Sequence, residues 1–342
     1  CTGGHRLHWW APAALVGTEC IELHGTAASS PYLTRITALR PPTHAAPATL
    51  ANTRPPMSHP VLDLFPRPKP VIGMIHTGPT PGAPGSDTCG CRSVDCAVER
   101  ALMEAMVYQE LGVDALLVEN MHDFPCVHER EHGPEVAAFM TRVASEVKRR
   151  VRDMPVGIQV LFQANKTALA VARAAGCDFV RAEGWTYAHV SDKGIADAQA
   201  GRVLRYRRAI GADHIPVLCD IKKKHAAHAW TADLSIADIA QTMALHRADG
   251  LVVTGSSTGL APDVSDLEEV RAVSDLPLFI GSGLDRDNFE DYARLADGFI
   301  IGSAFKEGGR WNAPVCEERV RSLIGTIEYV RGRENAAVRD LR

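Results

Sequence analysis

From Pro70 onward the chain repeats one unit: a short apolar run, then a longer mixed stretch with helical spacing. Four runs are entered through proline: Pro70-Val71-Ile72-Gly73-Met74-Ile75, Pro155-Val156-Gly157-Ile158-Gln159-Val160, Pro216-Val217-Leu218-Cys219-Asp220 and Pro277-Leu278-Phe279-Ile280. Four are entered through aspartate: Asp114-Ala115-Leu116-Leu117-Val118, Asp178-Phe179-Val180-Arg181, Asp249-Gly250-Leu251-Val252-Val253 and Asp297-Gly298-Phe299-Ile300-Ile301. The two kinds alternate strictly. Proline suits the first residue of a strand, where no ladder donor is required. Aspartate suits the turn that leaves a helix. Helical patterns fall at 94–111, 134–151, 166–175, 201–210, 235–247, 264–273 and 288–295, and a last one at 315–330 follows the eighth run.

Near-continuous apolar strands alternating with helices predict a parallel sheet covered by helices. Eight repeated units favour closure into a barrel over an open doubly wound sheet. No Gly-x-Gly-x-x-Gly follows the first strand, which weighs against a dinucleotide-binding fold. The expected fold is α/β, a single (β/α)8 barrel over residues 61–335. Residues 1–60 lack periodicity and are rich in Ala, Pro, Thr and His. They are expected to be a disordered leader or an organelle transit segment, with Met57 as a candidate start.

Composition adds exclusions. With 46% hydrophobic residues a large core is available, and a net charge of −4 without a basic stripe gives no footprint for nucleic acid. No apolar run is long enough to span a bilayer. The nine cysteines are scattered and odd in number, so they are expected reduced and intracellular, in a cytoplasmic or organellar compartment. Cys89, Cys91 and Cys96 lie close together, but no second pair with zinc-like spacing follows, so loop thiols are expected there. A homo-oligomer, by default a dimer, is the expected assembly.

In a parallel barrel, chemistry sits where the strands end. The first strand ends at His76, an acid, base or ligand candidate that could equally be a hydrogen-bonded structural histidine. The second ends at Glu119-Asn120, followed by Met121-His122-Asp123. Glu119 is a candidate general base or metal ligand, with a plain salt-bridge partner as the competing reading. The fourth strand directs Arg181 and Glu183 inward, where buried charges must pair. The fifth carries Asp220, Lys222 and Lys224 with one parity, then His225 and His228. A lysine among cations can act as base or nucleophile, but anion binding is the preferred reading here. Glu119, Asp123, His225 and His228 are the candidates for a divalent metal, on a weak HxxH signal. Thr254-Gly255, Gly281-Ser282-Gly283 and Gly302-Ser303 close the sixth, seventh and eighth strands. Three such loops in succession favour a phosphate cradle of N–H groups and hydroxyls, although tight turns also use these residues.

Together these stretches resemble the BtpA family over roughly residues 69–325. The resemblance is carried by Val71-Ile72-Gly73-Met74-Ile75-His76 with Pro81-Gly82-Ala83-Pro84, Gly112-Val113-Asp114 with Val118-Glu119-Asn120 and Asp123-Phe124-Pro125, Leu204-Arg205-Tyr206-Arg207, Asp220-Ile221-Lys222 with Lys224-His225, Val253-Thr254-Gly255 with Thr258-Gly259, Gly281-Ser282-Gly283 and Ala296-Asp297-Gly298. It implies a TIM barrel with a phosphate-type site, in a family named for photosystem I biogenesis in cyanobacteria. Met121-His122, Cys126 and Lys223 depart from the family pattern, and these departures bear on the substrate rather than the fold.

The function expected first is an enzyme acting on a small phosphorylated metabolite or nucleotide. Its catalytic candidates are Glu119, Asp220, Lys222, Lys224, Arg181 and His225. Its phosphate or substrate candidates are His76, Asn120, Thr254, Gly255, Gly281, Ser282, Gly283, Gly302 and Ser303. The alternatives are an assembly factor for a protein complex and a metal-dependent phosphohydrolase.

Overall fold

The computed structural model describes residues 59–86, 93–255 and 257–340, with 334–340 by backbone alone. The expectation of a leader falls almost wholly outside the described residues, as do Cys89 and Cys91. Among the described residues there are eleven strands and eight α-helices, labelled in chain order. Eight parallel strands close into one barrel: β1 (Val71–His76), β2 (Ala115–Glu119), β3 (Val156–Gln159), β4 (Phe179–Ala182), β7 (Val217–Ile221), β9 (Gly250–Val253), β10 (Leu278–Ile280) and β11 (Gly298–Ile301). β11 closes on β1, with Val71 opposite Phe299 and Gly73 opposite Ile301. The remaining strands, β5 (His189–Ser191), β6 (Gly194–Ala196) and β8 (Ala226–Ala227), form a small antiparallel sheet. That sheet was not expected; runs of two and three residues carry no measurable period.

The helices are α1 (Val94–Glu110), α2 (Pro134–Arg150), α3 (Asn165–Ala175), α4 (Ala200–Ala209), α5 (Ile236–Leu245), α6 (Val264–Val273), α7 (Phe289–Ala293) and α8 (Glu317–Asp340). Their ends follow local chemistry. Ser93 caps α1 by accepting from the Cys96 N–H, Pro134 opens α2, and Ser235 with Asp238 makes a reciprocal capping box on α5. Gly176 ends α3 in the left-handed conformation at φ 72°. α8 runs to Asp340, beyond the expected end at residue 330.

The proline/aspartate alternation has a structural cause. Asp114, Asp178, Asp249 and Asp297 each accept the N–H of the first residue in the preceding proline-entered strand. The donors are Val71 (2.8 Å), Val156 (2.7 Å), Val217 (2.8 Å) and Leu278 (2.9 Å). Each carboxylate also holds a cation: Arg67 and Arg331 on Asp114, Lys148 on Asp178, Arg207 on Asp249 and Arg271 on Asp297. Four two-strand units are thus latched at their starts by one repeated device.

Inside the barrel, strand residues of one parity make an apolar layer: Ile72, Met74, Ala115, Leu117, Phe179, Leu218, Val252, Phe279 and Ile300. Phe65, from the segment before β1, packs its ring 5.8 Å from Phe179 and 6.0 Å from Phe279. Gly157 makes room for the Phe179 ring, since a Cβ there would lie 2.2 Å from its Cε2. Residues of the other parity pack against the helices. Above the apolar layer, at the strand ends, the interior turns charged.

Candidate functional site

The register sets the charged layer. His76 of β1 lies beside Glu119 of β2, and Glu119 beside Gln159 of β3. Arg181 and Asp220 rise from β4 and β7 on the same inner face, with Glu183 just beyond β4. These groups line one cavity of about 220 Å³ at the strand ends. Lys193, Lys223, Lys224 and His225 line it too, as do Gly281, Ser282, Gly283, Gly302, Ser303 and Arg319. In barrel order β10 and β11 stand across from β3 and β4. The cavity therefore has an ionisable wall and a glycine/serine wall.

Most charges in the ionisable wall are paired. The Arg181 guanidinium donates from Nε and Nη2 to the two Asp220 oxygens at 2.8 and 3.2 Å. Burial works against its charge, but Asp220, joined by Glu119 and Glu183, outweighs burial and holds the guanidinium above its ordinary pKa. Lys223 Nζ lies 2.6 Å from Glu183 Oε1, and Glu183 Oε2 accepts the Gln163 N–H at 2.9 Å. Burial disfavours both ions of this pair. The partner's charge outweighs burial in each case, with the Gln163 N–H and Lys193 helping at Glu183 and Asp220 and Asp192 helping at Lys223, so Glu183 is lowered and Lys223 raised.

The unpaired groups behave differently. Burial pushes the Glu119 carboxyl up, against the pull of Arg181 and Lys224. Burial and the Lys306 charge bring His76 down to about 3, opposed by the Trp311 carbonyl. That carbonyl sits 2.9 Å from His76 Nδ1, so Nδ1 carries the proton of a neutral ring, and Nε2 faces Glu119 Oε2 at 3.6 Å. Burial and Arg181 bring Lys224 down to about 8, with Glu119 and Asp220 opposing. Gln159 turns its amide N–H toward Glu183 Oε1 at 3.5 Å, and its own buried Oε1 has no partner.

Of the expected catalytic residues, Glu119, Asp220, Arg181, Lys224 and His225 meet in the cavity. Lys222 does not. Its φ of 43° breaks the strand alternation, so it leaves the face of Asp220 and lines a separate small pocket with His189 and His228. Among the phosphate candidates, His76, Gly281, Ser282, Gly283, Gly302 and Ser303 line the cavity. Asn120, Thr254 and Gly255 do not. Asn120 is a fully buried brace, donating to Asp123 Oδ2 at 2.7 Å and accepting from Leu161 N at 2.7 Å. Gly255 backs onto the chain at Leu260, whose carbonyl oxygen a Cβ would meet at 2.3 Å. That loop reaches the cavity through Thr258 and Gly259 instead, and His225 Nε2 lies 2.9 Å from the Thr258 hydroxyl.

The metal candidates are not brought together. Glu119 and His225 line the cavity, but Asp123 accepts from Thr80 N and Oγ1 and from Asn120, outside it. His228 Nε2 is engaged by the Lys223 carbonyl at 3.0 Å. Among the described residues no three His, Cys, Asp or Glu side chains converge as a metal site. The five described thiols, Cys96, Cys126, Cys177, Cys219 and Cys316, are free.

Sequence reasoning passed over Lys193, Gln159, Trp311 and Arg319, and took Lys223 only as a departure. Gln159 was findable, because it shares inward parity with Gly157 at a strand end. Lys193 comes from the β5–β6 hairpin and sets its ammonium 5.0 Å from the Phe124 ring centre, an arrangement with no periodic signal.

A closed barrel of eight parallel strands covered by helices is the TIM-barrel architecture. A solved structure from Aquifex aeolicus shares this fold at TM-score 0.50 and 13% identity, covering 79% of this chain and 99% of that one. The BtpA family model matches residues 67–329, and the chain belongs to the BtpA family. It is 42% identical over 265 residues to a Caenorhabditis elegans protein named as uncharacterized and mitochondrial, covering 76% of this chain and 94% of the relative. It is 34% identical over 256 residues to the photosystem I biogenesis protein BtpA of Synechocystis, covering 75% of this chain and 86% of that protein. Among the described residues no helix is long and apolar enough to cross a membrane.

Proposed function

We propose that this protein is an enzyme that carries out proton-transfer chemistry on a small phosphorylated metabolite, a sugar phosphate or a nucleotide. The observation that carries this reading is the two-sided cavity. One wall holds ionisable groups outside their ordinary protonation ranges, and the other is built of short glycine/serine loops. Groups with displaced pKa values in a cleft are where acid–base work is done. Backbone N–H groups and small side chains let a phosphate approach closely. Arg319 supports that end, because its Nε is anchored on the Ala304 carbonyl at 2.8 Å while it borders the cavity.

In this reading Glu119 is the proton donor, since burial keeps its carboxyl protonated further up the pH scale. Lys224 is the amine that is free at mildly alkaline pH. The Arg181–Asp220 pair is a fixed dipole that orients the substrate. The name of the Caenorhabditis elegans relative supports a mitochondrial compartment.

The test is a thermal-shift screen of phosphorylated metabolites and nucleotides, with and without Mg²⁺ or Zn²⁺. A ligand at a hundred times its Kd adds about 2.7 kcal/mol of stability, which is readily seen. The expected result is a hit that Arg319→Ala weakens. Silence across the panel, with a protein partner recovered on the immobilised chain, would replace this reading with the assembly role that the Synechocystis name describes.

A further inference from the structure

Three consecutive lysines follow Ile221, and the backbone sends them to three places. Lys222, in the left-handed region at φ 43°, turns out of the main cavity. Lys223 is neutralised by Glu183 at 2.6 Å and lies over the Phe162 ring at 4.9 Å. Lys224 lines the cavity, half-buried, and makes no hydrogen bond or ion pair among the described residues.

The groups that act on Lys224 come from four strands and their ends: His76, Glu119, Arg181, and Asp220 with Lys223. Anion binding, the role the sequence favoured, fits this place poorly. Arg181 and Lys223 on that wall are already committed to Asp220 and Glu183, so a phosphate dianion there would find Lys224 with the Glu119 carboxyl beside it rather than a cluster of open cations. The phosphate has its own wall across the cavity. What suits an unpaired amine among carboxyl groups is an uncharged electrophile.

We propose that Lys224 is the nucleophile of the site, its Nζ adding to the carbonyl carbon of a phosphorylated aldehyde or ketone to form an imine. The proposal takes its substrate class from the phosphate reading; the amine chemistry stands apart from it. The amine lone pair forms the C–N bond while the carbonyl π pair moves to oxygen. Both amine protons end on that oxygen, which leaves as water, so no oxidant or reductant enters. Glu119 relays one proton, giving it to the departing oxygen and recovering another from nitrogen. When Glu119 returns its recovered proton to the imine nitrogen, the resulting iminium withdraws electrons from the adjacent carbon, which opens proton removal or carbon–carbon cleavage there.

The free-amine fraction supports the geometry. With a pKa of about 8, Lys224 presents more free base near pH 7.5 than an ordinary lysine does, by a factor on the order of a hundred.

The experiment incubates the full chain with glyceraldehyde 3-phosphate and cyanoborohydride, then maps the reduced adduct by peptide mass spectrometry. Glyceraldehyde is run beside it, and inorganic phosphate is added as competitor. The expected result is an adduct concentrated on Lys224 by about tenfold or more over Lys222. Lys224→Met abolishes it and Lys222→Met leaves it. Adducts spread over surface lysines without preference for Lys224, in the unaltered protein, would overturn the proposal without relying on a variant that folds. If glyceraldehyde labels Lys224 as fast as its phosphate and inorganic phosphate gives no protection, the imine stands and the phosphate wall falls.

Discussion

At the scale of single residues, His76 joins stability to the site. Its ring is buried and neutral, with Nδ1 tied to the Trp311 carbonyl. Its pKa is about 3 when folded, against 6.5 in the unfolded chain. Below pH 6.5 the unfolded chain takes up a proton that the folded protein refuses. The contribution is fully present above 6.5 and declines as pH falls toward 3, by up to about 1.4 kcal/mol per pH unit. His76→Asn should therefore show a shallower acid loss than the unaltered protein, measured by urea unfolding at pH 7 and pH 5. His189, brought down to about 4 chiefly by burial, acts alike in both proteins and cancels in the comparison. Equal slopes would show that His76 is not held neutral. The sequence placed His76 at a strand end but could not choose between a working and a structural histidine. The choice depends on Trp311, 235 positions away, whose carbonyl faces Nδ1.

At the scale of elements, the strand order was legible because each unit repeats its own punctuation. Asp178, for example, accepts from Val156 N and from Lys148 Nζ, both at 2.7 Å. Asp178→Ala leaves that buried N–H without its side-chain acceptor and is expected to cost about 1–3 kcal/mol in chemical denaturation. Because the latch is at the strand starts and the cavity at the strand ends, cyanoborohydride trapping on Lys224 should be unchanged. A loss of trapping in a folded Asp178→Ala protein would mean that the two ends are coupled. What the elements hid was the exit from β7. A positive φ on a lysine has no sequence signature, so strict alternation extended one step too far and assigned to Lys222 the face that Lys223 and Lys224 reach. The β5–β6 hairpin was hidden for a related reason, since its strands are too short to show a period.

At the scale of the whole molecule, the barrel interior is divided into an apolar layer plugged by Phe65 and a charged layer open to the cavity. The apolar layer was predictable from parity alone. The pairing within the charged layer was not, because partners such as Glu183 and Lys223 lie just past the ends of different strands, β4 and β7, and meet only when the barrel closes. That pair is a test of how the upper layer is held. Its side chains are 2% and 7% exposed, so neither ion is relieved by water. Lys223→Met removes one charge and leaves the Glu183 carboxylate uncompensated, an arrangement that costs about 3–5 kcal/mol when a buried pair is broken. Lys223→Met with Glu183→Gln removes both charges and keeps the acceptor for Gln163 N, so most of that loss should be regained in denaturant unfolding. If the double variant is no more stable than the single one, Lys223 contributes through its ammonium over the Phe162 ring rather than through Glu183. If it recovers, the pair is electrostatic support, and Lys224 remains the lysine at the mouth left free for chemistry.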